Sequence, residues 1–249
     1  MNSQYTEVNG HPLFTYEWAN NGEAVALLHG GLSQSTHYFP YLLPAVENNF
    51  HVFAYDRTAH GFTADREGSL HFDYQKAEAI AYLESVVKEP AHLIGYSDGA
   101  IISLLLAIER PDLVKSIVSI GGNYHFTGNV PGVEFVVDID PEDQAEYNVT
   151  SPDAPETLRL KTERMFKIWQ SEPTLNTFDL AQISCPVLVM AGDDDLISHH
   201  HTIELFEALP DSQLAIIPGA SHSVAKDKTE YVQLLIRDFL AGVISSQPE

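Results

Sequence analysis

The amino-acid sequence predicts an α/β fold, in which a mostly parallel sheet is covered by helices on both faces. Apolar runs of strand length, such as residues 24–28 and 186–191, alternate with longer helical patterns along most of the chain. The chain of 249 residues is long enough for one α/β domain with a large core, and its apolar content of 44% is ordinary for a globular protein. Ligands of such sheets bind at the carboxyl ends of the strands, so functional residues are expected there.

The first half of the chain is predicted to contain a hairpin followed by alternating strands and helices. Asn9-Gly10 lies between two short strand patterns and is a strong hairpin signal. Pro40 suits the first turn of the next helix, whereas Pro44 interrupts its pattern. The predicted elements are strands over residues 6–8, 13–17, 24–28, 52–55, 91–94 and 116–120, and helices over residues 38–47, 73–88 and 100–108.

The alternation breaks after residue 122 and resumes near residue 179. The intervening segment, which ends in a predicted helix over residues 156–170, is interpreted as an insertion over residues 123–178. Residues 1–122 and 179–249 then form the core domain. Residues 123–158 contain eight acidic residues and no Lys or Arg, which indicates either a negative rim for cationic ligands or a solvated loop.

The residues after the insertion predict two further strands, over 186–191 and 214–217. Ser198 is a predicted helix N-cap, and three histidines over residues 199–201 would form an exposed first turn. Adjacent helical residues point about 100° apart, so these histidines are not expected to share a metal ion. Residues 245–249 are expected to be disordered.

Composition limits the classes of function. The formal net charge of −22 repels nucleic acid and anionic membrane surfaces and modestly favours neutral or cationic ligands. The sequence lacks a phosphate-binding glycine loop with a lysine and a cysteine pair spaced for zinc, so no cofactor and no metal is expected. The single cysteine, Cys185, and the absence of a signal-peptide pattern predict a cytoplasmic protein.

The motif that carries the clearest chemical signal is Gly-Tyr-Ser-Asp-Gly at residues 95–99. It lies between a strand pattern and a helix pattern, and a serine on such a turn needs small neighbours because the turn is strained. Gly95 and Gly99 supply that space. The helix that follows would direct its N-terminus at Ser97, where backbone N–H groups stabilise a developing negative charge.

A serine hydroxyl needs a base that takes its proton and a third group that orients the base. Acidic residues at 193–195 follow the strand predicted over residues 186–191, and His222 follows the strand predicted over residues 214–217. The order Ser, Asp, His, with each residue just past a strand, is that of a nucleophile-elbow hydrolase. Because the strand ends share one edge of the sheet, these residues are expected to converge.

A second loop is predicted to complete an acyl-transfer site. The strand over residues 24–28 ends in His29-Gly30-Gly31-Leu32, where glycines let the backbone approach a reacting carbonyl. One oxyanion donor would be the N–H of Asp98, and the other the N–H of Gly31 or Leu32. His29 is interpreted as structural rather than catalytic, since a loop histidine usually holds its turn.

With these motifs the chain resembles the α/β-hydrolase superfamily over essentially its whole length. The resemblance implies a mostly parallel eight-stranded sheet with helices on both faces and a small cap, formed here by residues 123–178. It places the catalytic acid at Asp195, with Asp193 as the alternative, the base at His222, and favours Gly31 as oxyanion donor. Residues 56–63 resemble a loop of the family, with Ala59 where glycine is usual.

The Ser-Asp-Gly sequence at the elbow and the stretch at residues 121–125 resemble carboxylesterases and biphenyl-hydrolase-like enzymes, including those that cleave amino-acid esters such as valacyclovir. In that subgroup the acid after the nucleophile receives the substrate's α-amino group, which would assign this role to Asp98. The alternative is that Asp98 caps its helix. Other residues expected at the substrate are His29, Gly30, Tyr124 and Trp169, and the last could equally serve as packing.

The sequence as a whole predicts a serine hydrolase that cleaves small carboxylic esters through an acyl-enzyme, acting on a small molecule as a monomer or small homo-oligomer. Cofactor-free haloperoxidases or perhydrolases and carbon–carbon bond hydrolases share its three catalytic residue types. A non-catalytic receptor or scaffold of the same fold is the alternative from a different class.

Overall fold

The computed structural model describes residues 1–246. Eight strands form one sheet in the order β1-β2-β4-β3-β5-β6-β7-β8. Their bounds are β1 Asn2–Val8, β2 His11–Trp18, β3 Ala24–Leu28, β4 His51–Asp56, β5 Ala91–Tyr96, β6 Val114–Ile120, β7 Val187–Asp194 and β8 Ser212–Ser221. β2 pairs antiparallel with both β1 and β4, and every pairing from β4 to β8 is parallel. The predicted fold class is therefore confirmed.

Nine α-helices are present in the described part of the chain. Their bounds are α1 Phe39–Leu42, α2 Phe72–Tyr82, α3 Asp98–Glu109, α4 Pro141–Thr150, α5 Thr157–Trp169, α6 Thr177–Leu180, α7 His199–Ala208, α8 Val224–Asp227 and α9 Thr229–Ser245. No helix within residues 1–246 combines the length and the apolar character that a membrane span requires.

Alternation along the buried strands divides the core into two apolar layers. In β3, Ala24 and Ala26 pack into the layer that contains α2 and α3, whereas Val25 and Leu27 pack into the layer that contains α1 and α9. Both faces of the central strands are thus covered, which explains why their sequences are continuously apolar.

Three predicted elements differ from those observed. The helix expected over residues 38–47 is only α1, and a 3₁₀ turn over Leu43–Ala45 follows it, because Pro44 lacks the N–H that would continue the helix. The helix expected over residues 73–88 is α2 followed by a π-helical turn over Leu83–Val87. Of the tail expected to be disordered, Ser245 ends α9 and residues 247–249 lie outside the described residues.

The insertion after β6 carries α4 and α5. The proposed boundary at residue 178 falls inside α6, which Asn176 caps through the N–H groups of Phe178 and Asp179. Some of its acidic residues have structural partners: Asp140 accepts a hydrogen bond from the N–H of Glu142 at the start of α4. The division into a core and a cap remains a prediction.

The histidines at the start of α7 were expected to be exposed. Ser198 caps the helix as expected, since its hydroxyl accepts a hydrogen bond from the N–H of His201. His199 and His200 are exposed, but His201 is buried because its ring stacks on Tyr124 at a centroid distance of 4.0 Å. Burial lowers the pKa of His201 to about 4. The expectation was wrong for His201.

Candidate active site

Ser97 occupies a strained turn between β5 and α3. Its backbone has φ 51° and ψ −115°, a region that residues other than glycine rarely adopt. Gly95 and Gly99 make this turn possible. A Cβ at Gly95 would lie 2.3 Å from the carbonyl oxygen of Gly99, and one at Gly99 would lie 2.0 Å from that of Leu28. Close packing of the elbow against the neighbouring strand therefore requires glycine at both positions.

Ser97, His222 and Asp195 form a continuous hydrogen-bonded chain. The Nε2 atom of His222 lies 3.1 Å from the hydroxyl oxygen of Ser97, and its Nδ1 atom lies 2.7 Å from Oδ1 of Asp195. The ionised carboxylate can only accept a hydrogen bond, so Nδ1–H donates and Nε2 is free to accept the serine proton. The Asp195 side chain is fully buried, and its Oδ1 also accepts from the N–H of Ile197 at 3.0 Å.

The three acids after β7 have different positions. Asp195 contacts the imidazole, whereas Oδ1 of Asp193 accepts hydrogen bonds from the N–H groups of Gly219 at 2.6 Å and Ala220 at 3.2 Å. Asp194 is exposed at the end of β7. The geometry therefore favours Asp195 as the partner of His222. Asp193 instead stabilises the loop that carries His222.

Two further contacts hold the histidine loop. The hydroxyl of Tyr96 donates a hydrogen bond to the carbonyl of His222. The carboxylate of Asp227 accepts from both the N–H and the hydroxyl of Ser221, at 2.8 and 2.6 Å. His222 is thus positioned by β5 on one side and by α8 on the other. Neither contact was anticipated from the sequence; Tyr96 and His222 lie 126 residues apart along the chain.

A cavity of about 180 Å³ opens onto Ser97 and His222. Gly31, Asp98 and Trp169 also line it, and Ile101, Phe135, Leu196 and Ile197 supply apolar wall. The segment between β6 and β7 contributes Phe135 and Trp169, whose rings lie 5.7 Å apart. The structure therefore brings five of the predicted site residues to one enclosed space.

Other predicted substrate contacts lie outside this cavity. The hydroxyl of Tyr124 donates a hydrogen bond to Glu204, and the ring of Tyr124 stacks on the ring of His201. His29 is 2% exposed, and Leu32, with φ 50°, lines a neighbouring cavity instead. Gly30 packs against the Cβ of Ser97 without lining the space. His29, Gly30 and Tyr124 thus do not line this cavity, and their contact with a substrate stays a prediction.

His29 and Arg57 hold the loop that precedes Gly31. His29 Nε2 accepts from the N–H of Arg57 at 3.0 Å, so its Nδ1–H donates to the carbonyl of Gly30 at 2.7 Å. Burial lowers the pKa of His29 well below its usual value, which keeps the ring neutral as this pattern requires. The structural interpretation of His29 therefore agrees with its contacts.

Arg57 is a site residue to which the sequence analysis assigned no role. Its guanidinium is 1% exposed and donates to the carbonyl of Gly30 at 2.8 Å and to Gln75. One nitrogen also lies 3.7 Å from Oδ2 of Asp98. In the same loop Ala59 has φ 65°, so the backbone keeps a conformation that favours glycine. The family loop at residues 56–63 was the available signal, but it did not reveal this contact.

Asp98 lies at the boundary between Arg57 and the cavity. It is 2% exposed, and no backbone N–H of α3 donates to its side chain, which argues against the helix-capping interpretation. Within the described residues Oδ2 is buried without a hydrogen-bond partner. Burial raises the pKa of the Asp98 carboxyl. The positive charge of Arg57 and the indole N–H of Trp169 act in the opposite direction, but burial outweighs them.

The site holds no evident metal cluster. Among residues 1–246, no three His, Cys, Asp or Glu side chains are grouped so that they could hold a metal ion.

Comparison with known proteins identifies related sequences. The alpha/beta hydrolase family matches residues 25–234. The chain is 25% identical to the serine hydrolase BPHL of Mus musculus, covering 96% of this chain and 87% of that protein. It is 23% identical to the (E)-2-((N-methylformamido)methylene)succinate hydrolase of Acinetobacter baylyi, covering 96% and 98% of the two proteins.

The structure is similar to solved structures of the same architecture. The meta-cleavage product hydrolase CumD of Pseudomonas fluorescens superposes with a TM-score of 0.78 over 97% of this chain and 98% of that chain, at 18% identity. At this identity the similarity demonstrates the fold alone.

Proposed function

Because the chain belongs to the alpha/beta hydrolase family, we propose that it is a serine hydrolase that cleaves small carboxylic esters through an acyl-enzyme intermediate. The observation that carries the proposal is the hydrogen-bonded chain from Ser97 through His222 to Asp195. A hydrolase is also what the names of two relatives describe. Family membership is established, whereas the cleavage of an ester bond and the catalytic roles of the individual residues are proposed.

In the proposed first step, Nε2 of His222 removes the proton of Ser97 while Oγ attacks the ester carbonyl. Asp195 keeps the proton of the imidazole on Nδ1 and stabilises the imidazolium that forms. The imidazolium then donates its proton to the leaving alcohol, and Ser97 is left acylated. In the second half, His222 deprotonates a water molecule that attacks the acyl carbon and releases the acid.

The negative charge of the tetrahedral intermediate would be stabilised by two backbone donors. Asp98 is the first residue of α3, where N–H groups have no partner within the helix. Gly31 lines the same cavity as Asp98. These two N–H groups, together with the helix N-terminus, are the proposed oxyanion hole. Leu32 is the weaker candidate because it borders the neighbouring cavity.

The proposal of small substrates rests on the size of the cavity. Its volume of about 180 Å³ lies below the range of roughly 300–1,000 Å³ that is common for ligand pockets. Ile101 and Leu196 provide an apolar wall for a short acyl or alkoxy group. Longer acyl chains would have to extend beyond this cavity.

Active-site labelling tests the proposal directly. A fluorophosphonate is expected to modify Ser97 in a single stoichiometric reaction, because its phosphorus mimics the attacked carbonyl and the activated hydroxyl is the nucleophile. Mass spectrometry of the peptide that contains Ser97 gives the measurement, with hydrolysis of p-nitrophenyl acetate followed in parallel. A protein that hydrolyses no ester and carries no label at Ser97 would contradict the proposal and favour the non-catalytic alternative.

A second experiment tests whether Asp98 selects substrates with an α-amino group. A buried ammonium–carboxylate contact is worth roughly 1.5–3 kcal/mol, or about ten- to a hundredfold in kcat/KM. Because Arg57 lies 3.7 Å from the same carboxylate, we expect the lower end of that range. A free α-amino ester should thus exceed its N-acetyl counterpart about tenfold, and Asp98→Asn should remove the difference.

Neutral esters provide the control for this comparison. Asp98→Asn retains the backbone N–H, so simple neutral esters should be hydrolysed nearly as by the wild type. Equal kcat/KM values for the amino and N-acetyl esters in the wild type would refute amine selection. Asp98 would then serve as the buried partner of Arg57 in a general carboxylesterase.

A further inference from the structure

A second cavity of about 190 Å³ shares no lining residue with the one that opens onto Ser97, but residues that are neighbours of each other line the two. Leu32 and Phe166 line the second cavity, whereas Gly31 and Trp169 line the first. The rings of Phe166 and Trp169 lie 5.4 Å apart. The two cavities are therefore related by one backbone step, from Gly31 to Leu32, and by the adjacent rings of Phe166 and Trp169.

Lys161, on cap helix α5, lines the second cavity and is only 6% exposed. Within residues 1–246 its ammonium makes no hydrogen bond and has no carboxylate within 4.0 Å, while the nitrogen itself keeps some contact with solvent. Its recorded contact is the ring of Tyr147, whose centroid lies 4.2 Å away. A lysine this deeply buried ordinarily has a paired acceptor, because the loss of hydration is costly.

The acids near this cavity do not neutralise the ammonium. Asp138 and Asp143 are exposed at the outer edge of the lining, where water and salt screen them. Glu146 is already engaged, since one of its oxygens accepts from Gln34 at 3.1 Å and lies 2.7 Å from Nε2 of His37.

Asp65 and Asp153 act on Lys161 from a greater distance. Both raise its pKa, but burial outweighs them and lowers the pKa to about 8. Asp153 accepts from the N–H of Asp65 at 2.8 Å, and Asp65 pairs with Arg164 at 2.5 Å, so each carboxylate has a partner of its own. The ammonium is therefore available to a ligand at neutral pH.

We propose that Lys161 binds a remote carboxylate of the substrate, so that the preferred esters are half-esters of dicarboxylic acids whose ester group lies at Ser97. This inference rests on the proposed esterase function. Lys161 is the one Lys or Arg that lines either cavity among the described residues, and a single ammonium matches a monoanionic carboxylate better than a phosphate dianion. Leu32, Tyr147 and Phe166 form apolar wall for the alkyl spacer.

The test compares two series of p-nitrophenyl esters with increasing spacer length, one ending in a carboxylate and the other in the isosteric primary amide. At the best spacer length, kcat/KM for the carboxylate is expected to exceed that for the amide at least tenfold. Lys161→Met should abolish the preference, and Lys161→Arg should restore part of it. A wild type without preference at any length, or a Lys161→Met variant that keeps it, would overturn the inference.

Lys167→Met is the matched control, because Lys167 is exposed on the same helix and should leave the preference unchanged. The amide series separates this inference from the proposed function. If amide esters are hydrolysed at Ser97 but carboxylates gain nothing, only the inference fails. If neither series is hydrolysed and Ser97 remains unlabelled, the proposed esterase function fails.

The pH dependence of the wild type provides a test that requires no variant. Lys161 is charged below its pKa of about 8, so the carboxylate preference should be full at lower pH and lost as pH rises through about 8. The ratio of the two substrates cancels titrations that affect both. A ratio that stays constant across this interval would refute the role of Lys161. The ionisable groups that surround the Lys161 ammonium are Tyr147, Asp65, Asp153, His29, His60, His37, Asp138, Asp143 and Glu146.

Discussion

Ser97→Ala is expected to lower kcat for p-nitrophenyl ester hydrolysis by about four orders of magnitude or more while the protein remains folded. The hydroxyl that the substitution removes is the proposed nucleophile, and no other serine lines the cavity with His222 in the described chain. Alanine adds no volume to the strained turn, so the fold should be retained. Steady-state rates with circular dichroism as a folding check give the measurement.

His222→Ala should cause a loss of similar size, because an unassisted serine hydroxyl is a weak nucleophile at neutral pH. The double variant Ser97→Ala/His222→Ala should be no worse than either single variant, since the two residues act as one unit. Full turnover by Ser97→Ala, or losses that multiply in the double variant, would show that the two residues do not share a catalytic step.

Asp195→Asn is expected to lower kcat by about three to four orders of magnitude, far more than the same change at Asp193 or Asp194. An amide can donate a hydrogen bond to Nδ1, which would place the imidazole proton on Nε2 and prevent it from accepting the serine proton. Oδ1 of Asp195 and Nδ1 of His222 lie 2.7 Å apart, so the substitution acts directly on this contact.

The neighbouring acids provide matched controls. An asparagine at position 193 keeps an oxygen that can accept from the N–H groups of Gly219 and Ala220, so the effect should be mild. Asp193→Ala removes this brace and should lower kcat moderately by loosening the loop of His222. Asp194→Asn, at an exposed position, should change little. Equal losses for all three Asp→Asn variants would contradict the assignment of Asp195.

The fold class followed from the sequence because it depends on local patterns. Apolar runs such as residues 24–28 and the Asn9-Gly10 turn are determined by neighbouring residues, and both appear as a strand and a hairpin. The placement of Ser97 on a turn also followed, because Gly95 and Gly99 are required wherever that turn occurs. The local effect of Pro44 was recognised, but the helix length that it left was not.

Apart from the convergence of Ser97, Asp195 and His222, contacts between distant parts of the chain became known only from the folded molecule. The sequence placed three adjacent acids after one strand, but which of them reaches His222 depends on the path of two loops 27 residues apart. The burial of Arg57 beside Asp98 likewise depends on how β4 and α3 pack. The sequence analysis assigned no role to Lys161, and its burial to 6% exposure became known only from the folded molecule. Periodicity reports which face of an element is apolar, whereas the partner of a buried polar group is selected by three-dimensional packing.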